Sequence, residues 1–207
     1  MDKLSTTFQP VQYVRKDHEI SEDMKQYYGD DVKPFSLTPE AVDSFSDLQN
    51  VDYPGLSLVV HINDMKFDNL HNSLGLWDMI FNSMDSTTWY DEGKDKTDRS
   101  SFYLFTCSCG EAGCAGIFNG ILVKVRKNTV EWRINDEKTI EILGKRFFSF
   151  PRKEYEEATI GIAKRLLDSE KKVGRKLIID VDDHGYEAET SSIQDYLDIR
   201  QRRLAGY

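Results

Sequence analysis

Three cysteines, Cys107, Cys109 and Cys114, fall within eight residues in the run Thr106-Cys107-Ser108-Cys109-Gly110-Glu111-Ala112-Gly113-Cys114-Ala115-Gly116. On a strand, Cys107 and Cys109 point to the same face, and a turn can return Cys114 to them, so three thiolates around one zinc ion are geometrically allowed. A structural zinc site takes four ligands, and here the fourth would have to arrive from elsewhere in the fold, from His61 or His71. No Lys, Arg or His adjoins these thiols in sequence to lower a pKa, which argues against a nucleophilic or redox cysteine. The favoured reading is a tight corner of small residues joining two strands, with thiols packed beside Gly110, Gly113 and Gly116. Because the cysteine count is odd and no apolar leader opens the chain, reduced thiols and a cytoplasmic location are expected.

A second cluster of potential ligands is Asp180-Val181-Asp182-Asp183-His184-Gly185, whose carboxylates could hold a hard divalent cation. Its start resembles a calcium loop, yet the twelfth position is Ser191 rather than the bidentate Glu such a loop needs. An acidic solvated turn is the expected reading. His61, alternating with Val59 on an apolar stretch, and His71, in a helical one, read as packed or capping residues. No nucleophile elbow, phosphate-binding loop, dinucleotide fingerprint or zinc-protease motif is present, which lowers the expectation of an enzyme.

Charge is the other informative property. The chain of 207 residues carries a net −9, and residues 1–100 hold 9 Lys and Arg against 19 Asp and Glu, while residues 101–207 hold 18 against 17. Such a balance argues against direct nucleic-acid binding, which needs a basic surface, and suits a basic partner. No apolar run reaches the roughly 18 residues of a membrane helix, so no membrane partner is expected.

The elements that must position these residues follow from periodicity. A single α+β domain is expected, with an acidic N-terminal region over residues 1–50, a core over 51–180 and a C-terminal helix over 181–207. Residues 1–37 show no sustained period and read as an extended arm; Thr38-Pro39 then resembles a helix cap and first turn, giving a short helix over 39–49. Leu56 to Ile62 reads as a buried strand. Apolar spacing from Phe67 to Met84 predicts a helix, weakened by Gly75. A strand through Phe102 to Phe105 leads into the cysteine turn. A hairpin over 117–134 follows, in which a Lys127-Asn128 loop sets Val125 opposite Val130, Val123 opposite Trp132, Ile121 opposite Ile134 and Lys124 opposite Glu131. A further strand runs through either Ile140 and Ile142 or Phe147, Phe148 and Phe150. From Pro151 an amphipathic helix near 152–170 buries Tyr155, Ala158, Ile162 and Leu166 and ends before Gly174. Lys176 to Val181 reads as a last strand, and Ser192-x-x-Asp195 opens the final helix. The fold class is therefore α+β, a mainly antiparallel sheet centred on residues 101–134 and packed by that amphipathic helix.

The turn Thr106, Cys107, Cys109, Gly110, Gly113, Cys114, Gly116, followed by Val130-Glu131-Trp132 and then Phe148-Ser149-Phe150 before Tyr155, resembles a group of uncharacterised bacterial proteins with a T-C-x-C-G-x-x-G-C-x-G strand–turn–strand motif. The resemblance covers about residues 100–160. It implies a shared hairpin-plus-helix core and no particular activity.

For function, the favoured reading is a non-enzymatic acidic binding protein, such as an immunity protein, antitoxin or inhibitor, that neutralises a basic bacterial or phage protein. Its interface residues are expected among Tyr27, Tyr28, Asp30, Asp31, Trp89, Tyr90, Asp91, Glu92, Asp95 and Asp98, aromatic anchors within an acidic rim. One alternative is a zinc-binding protein or metalloenzyme organised around Cys107, Cys109 and Cys114. The other is a DNA mimic, disfavoured because the carboxylates are interleaved with Lys and aromatic residues.

Overall fold

The computed structural model describes residues 1–19, 21–28, 35–68, 74–84, 101–107, 110–178, 193–194 and 197–198. Two antiparallel sheets and a long helix build an α+β structure.

The C-terminal sheet is built from consecutive strands. β5 (Leu122–Val125), β6 (Thr129–Arg133) and β7 (Phe147–Pro151) pair in the order 5-6-7, with Val125 opposite Val130, Val123 opposite Trp132 and Lys124 opposite Glu131. The inward set Val123, Val130, Trp132, Phe148 and Phe150 is buried, as strict alternation requires. Ile121 departs from the expected register. Instead of facing Ile134 it exchanges two backbone hydrogen bonds with Phe102, so the ladder ends at Leu122.

Ile140 and Ile142 lie in a helix, α3 (Glu137–Leu143), and not in a strand. Their alternation is too short to separate the two periods. The caps decide: Asp136 accepts the Thr139 N–H at 3.0 Å, and Gly144 stops the helix at φ 67°. The long helix α4 (Arg152–Val173) starts directly after Pro151 and stops at Gly174, φ 69°. Its buried face includes Tyr155, Ala158, Ile162 and Leu166. The Trp132 indole N–H donates to the Tyr155 hydroxyl at 2.9 Å, and that hydroxyl donates to the Ser83 carbonyl at 2.6 Å. The indole is ringed by Phe102, Phe148, Phe150 and Tyr155 in edge-to-face contacts, so this corner is both apolar and polar-satisfied.

The larger sheet is the part the sequence pattern did not reveal. β1 (Leu4–Asp17) is a 14-residue strand that sits between β2 (Phe35–Ala41) and β3 (Pro54–Ile62), with β4 (Met65–Asp68) beyond β3, in the order 2-1-3-4. Residues 1–37 are therefore no free arm: besides β1 they hold a short helix, α1 (Glu22–Tyr28), and the start of β2. The pattern hid β1 because its buried positions change parity, from Leu4 and Thr6 to Val11, as pairing passes from β3 to β2.

Thr38 and Pro39 are extended, and the expected helix over 39–49 is only a 3₁₀ turn at Asp47–Asn50. β2 is an edge strand, where a missing N–H is tolerated. Pro10, inside β1, turns its carbonyl to the Val42 N–H at 3.2 Å, so its nitrogen also faces the β2 side and removes no bond to β3.

β3 is buried on both faces, matching its apolar run. A two-residue turn, Asn63-Asp64, leads from β3 to β4, with Asn63 at φ 53°. Asn63 also exchanges hydrogen bonds with Lys3, its N–H to the Lys3 carbonyl at 2.9 Å and its Oδ1 from the Lys3 N–H at 3.0 Å. β4 occupies the start of the expected helix over 67–84, and in the described part of that span the helix is α2 (Leu76–Phe81).

Asp2 links the sheets. Its N–H donates to the Ser149 carbonyl and its carboxylate accepts the Ser149 N–H, both at 2.8 Å. α4 lies against β1, β6 and β7, and one continuous apolar cluster includes residues of both sheets and the helix. After α4, the described start of the expected last strand, Lys176 to Ile178, forms no regular strand: Ile178 alone makes an isolated parallel bridge to Gly55, and residues 179–181 lie outside the described residues. Ile193, Gln194, Leu197 and Asp198 are helical, as expected for the C-terminal segment.

Candidate functional site

Phe102 to Phe105 is not a regular strand. Only isolated bridges form there, Phe102 to Ile121 and Leu74 to Phe105, because the segment's backbone is bound to the start of α2. Gly75 donates its N–H to the Leu104 carbonyl at 2.9 Å, and the Asp78 carboxylate accepts the Tyr103 N–H. A Cβ on Gly75 would stand 2.0 Å from the Tyr103 carbonyl oxygen, so only glycine permits this approach. Met79 and Ile80, on the other side of α2, are fully buried. Asp78 is thereby turned away from the core and toward the cysteine turn.

The turn is ordered by its own backbone. Cys107 donates its N–H to the Glu111 carbonyl at 3.1 Å, Gly110 to the Cys107 carbonyl at 3.0 Å, and Ile117 to the Ala112 carbonyl at 3.0 Å. Gly110 and Gly116 supply the left-handed conformations, φ 82° and 75°. Buried Ala112 and Ile117 seat the turn on the core, and the Lys138 ammonium donates to the Ala115 carbonyl.

Between α2 and the turn lies a cavity of about 210 Å³. Leu74, Leu76 and Ala112 form apolar wall, and Asp78 and Glu111 both line it. The Asp78 oxygens accept from the Tyr103 N–H and from the Asn82 amide at 3.0 Å, and Glu111 accepts the Gly113 N–H at 3.1 Å. Burial pushes the Asp78 carboxyl above its ordinary value; the N–H of Tyr103 and the amide of Asn82 oppose the rise, and the charge of Glu111 adds to it. Among its described lining residues there is no Lys or Arg. The arrangement offers concentrated negative charge beside a short apolar wall.

The expected thiol state does not hold. Cys107 is disulfide-bonded, while Cys114 carries a free, exposed thiol. A disulfide sulfur is no thiolate, so zinc coordination through Cys107 requires the reduced form. Cys109 lies outside the described residues, and among the described residues no group of three His, Cys, Asp or Glu side chains comes together.

Of the expected partner-binding residues, Tyr27 and Tyr28 lie in α1 but their side chains are outside the described part of the structure. Asp30, Asp31, Trp89, Tyr90, Asp91, Glu92, Asp95 and Asp98 also lie outside the described residues, as do His71 and the Asp180–Gly185 run. His61 is half-buried on β3, opposite Lys66.

Sequence reasoning missed Asp78 and Glu111. The available signal was a lone carboxylate inside the apolar run Leu76-Trp77-Asp78-Met79-Ile80-Phe81, and a second one inside a glycine-rich turn.

The fold and site thus define an α+β protein of two antiparallel sheets with an anionic pocket beside its cysteine turn. No family profile, no curated protein and no solved structure matches the chain. Among the described residues, no helix is long and apolar enough to cross a membrane.

Proposed function

We propose that this chain is a non-enzymatic acidic binding protein that neutralises a basic bacterial or phage protein, as an immunity protein, antitoxin or inhibitor does. The observation that carries the reading is the charge distribution: a net −9 whose whole excess sits in residues 1–100. Proteins that act on nucleic acids are basic because their substrates are phosphates, so an acidic partner associates with them quickly and selectively. The pocket adds support, since it sets Asp78 and Glu111 together without a basic side chain among its described lining.

The test is genetic and biochemical. The reading frame adjacent to the gene is expected to encode a basic protein that arrests growth when expressed alone, and co-expression of this chain is expected to restore growth. If growth stays arrested and the two purified proteins fail to associate at low salt, the proposal is wrong.

A further inference from the structure

The pocket between α2 and the cysteine turn invites a specific occupant. Its volume of about 210 Å³ falls below the roughly 300–1,000 Å³ of sites that enclose cofactors or drug-sized ligands, and suits a single side chain. Leu74, Leu76 and Ala112 can cover a methylene stem, while Asp78 and Glu111 face a charged head. A metal ion is a poorer fit: each carboxylate already accepts a backbone N–H, and no third His, Cys, Asp or Glu joins them among the described residues.

We infer that this pocket is the socket for one arginine or lysine side chain of a basic protein partner, with half-buried Asp78 as the inner acceptor and exposed Glu111 as the acceptor at the rim. The inference rests on the binding-protein reading and assigns it a site. An arginine head is best matched, because its fork of donors can engage two carboxylates while the stem packs on Leu74 and Leu76. Buried arginine anchors inside a less critical rim are the usual carriers of interface affinity. Occupancy also requires the ionised Asp78, so binding weakens as pH falls through its raised pKa; Glu111 and Tyr103 are the other titratable residues lining the cavity among the described residues.

The probe is a fluorescent hexa-arginine peptide followed by anisotropy at low salt, with unlabelled hexa-lysine as competitor to separate guanidinium from ammonium preference. Glu111→Gln keeps the acceptor for the Gly113 N–H and therefore the fold; Asp78→Asn removes the half-buried charge; Glu19→Gln, exposed and outside the pocket, is the charge-matched control. Expected losses of affinity are about tenfold or more for Asp78→Asn, about threefold for Glu111→Gln and under about twofold for Glu19→Gln. If hexa-arginine binds but the two pocket variants lose no more than the control, the socket is overturned and the binding-protein reading stands. If hexa-arginine does not bind the native chain at all, the socket is overturned, and the binding-protein reading is decided separately by the co-expression and association test. Saturable binding of Ca²⁺ or Zn²⁺ alone that disappears in Asp78→Asn would reassign the pocket to a metal and overturn the side-chain assignment.

Discussion

The two sheets differ in how far apart in sequence their partners are. β5, β6 and β7 are consecutive and each pairs with its neighbour in the chain, whereas β1 takes Ile62 opposite Leu4 and Ala41 opposite Val11. In the first case the β5–β6 register is set by a two-residue loop, and its pairs can be read from a short window of sequence. In the second, the partner strand lies tens of residues away, and no local pattern identifies it. Carboxylates show a parallel contrast. Burial alone would raise Asp2 and Asp136. Donors outweigh it: Lys145, the Ser149 N–H and Asn63 for Asp2, and the N–H groups of Thr139, Phe118 and Asn119 for Asp136, so both are held below the ordinary carboxylate range. At Asp78 burial wins and the pKa rises. Structural carboxylates are saturated with donors; the pocket carboxylate is left short of them.

The largest expected effect tests whether the two sheets are one unit. Trp132→Ala removes the buried indole and its bond to Tyr155 and should cost about 3–5 kcal/mol in urea denaturation. Since one apolar cluster spans both sheets, the loss should lower a single transition. Two separate transitions would show that the sheets unfold independently.

Gly55→Ala tests the non-local part. Its Cβ would fall 2.2 Å from a Tyr13 ring carbon and 2.9 Å from the Ile178 carbonyl, where β1, β3 and the Ile178 bridge converge. A destabilisation of about 1–3 kcal/mol is expected. A neutral result would mean that this packing is looser than the structure describes.

Asp136→Ala should cost about 1–2 kcal/mol through loss of the α3 cap. The pH dependence follows from the lowered native values of Asp2 and Asp136: their contribution is complete above the ordinary carboxylate pKa of about 3.9 and is lost as pH falls through the native values. An acid limb of the urea midpoint that is unchanged in Asp136→Asn would contradict that assignment.

Asp78 has the opposite sign. Its stabilisation is present below the ordinary value and is lost as pH rises through the raised one, so Asp78→Asn is expected to be neutral, or to gain up to about 1 kcal/mol, at pH 7. A loss larger than that of Asp136→Ala would make Asp78 a structural residue. The smallest effect is expected at Arg165. Its half-buried guanidinium donates to the Thr6 hydroxyl, but its Nε has no hydrogen-bond partner, and burial holds its pKa below the ordinary value. Arg165→Met should therefore change stability by less than about 1 kcal/mol, measured by thermal melting.

The sequence made the hairpin, its loop and its cross-strand pairs legible, because Val123, Val125, Val130 and Trp132 alternate against one short turn. It also placed α4, from Pro151 to Gly174, because a 22-residue amphipathic helix carries its own start and stop signals. It misread Thr38-Pro39, since a proline that suits a helix start equally suits an edge strand, and only the pairing with β1 chooses between them. It did not reveal β1, whose buried positions change parity along the strand.

By itself, then, the sequence determined the acidic balance, the local hairpin, the long helix and a glycine-rich cysteine turn, all properties of composition or of neighbouring residues. The tertiary structure decided that this turn forms one wall of a pocket. Asp78 and Glu111 are 33 positions apart in the chain, and what brings them together is the close approach of Gly75 to Tyr103. Such a contact depends on backbone geometry between distant segments, which no spacing along the sequence expresses.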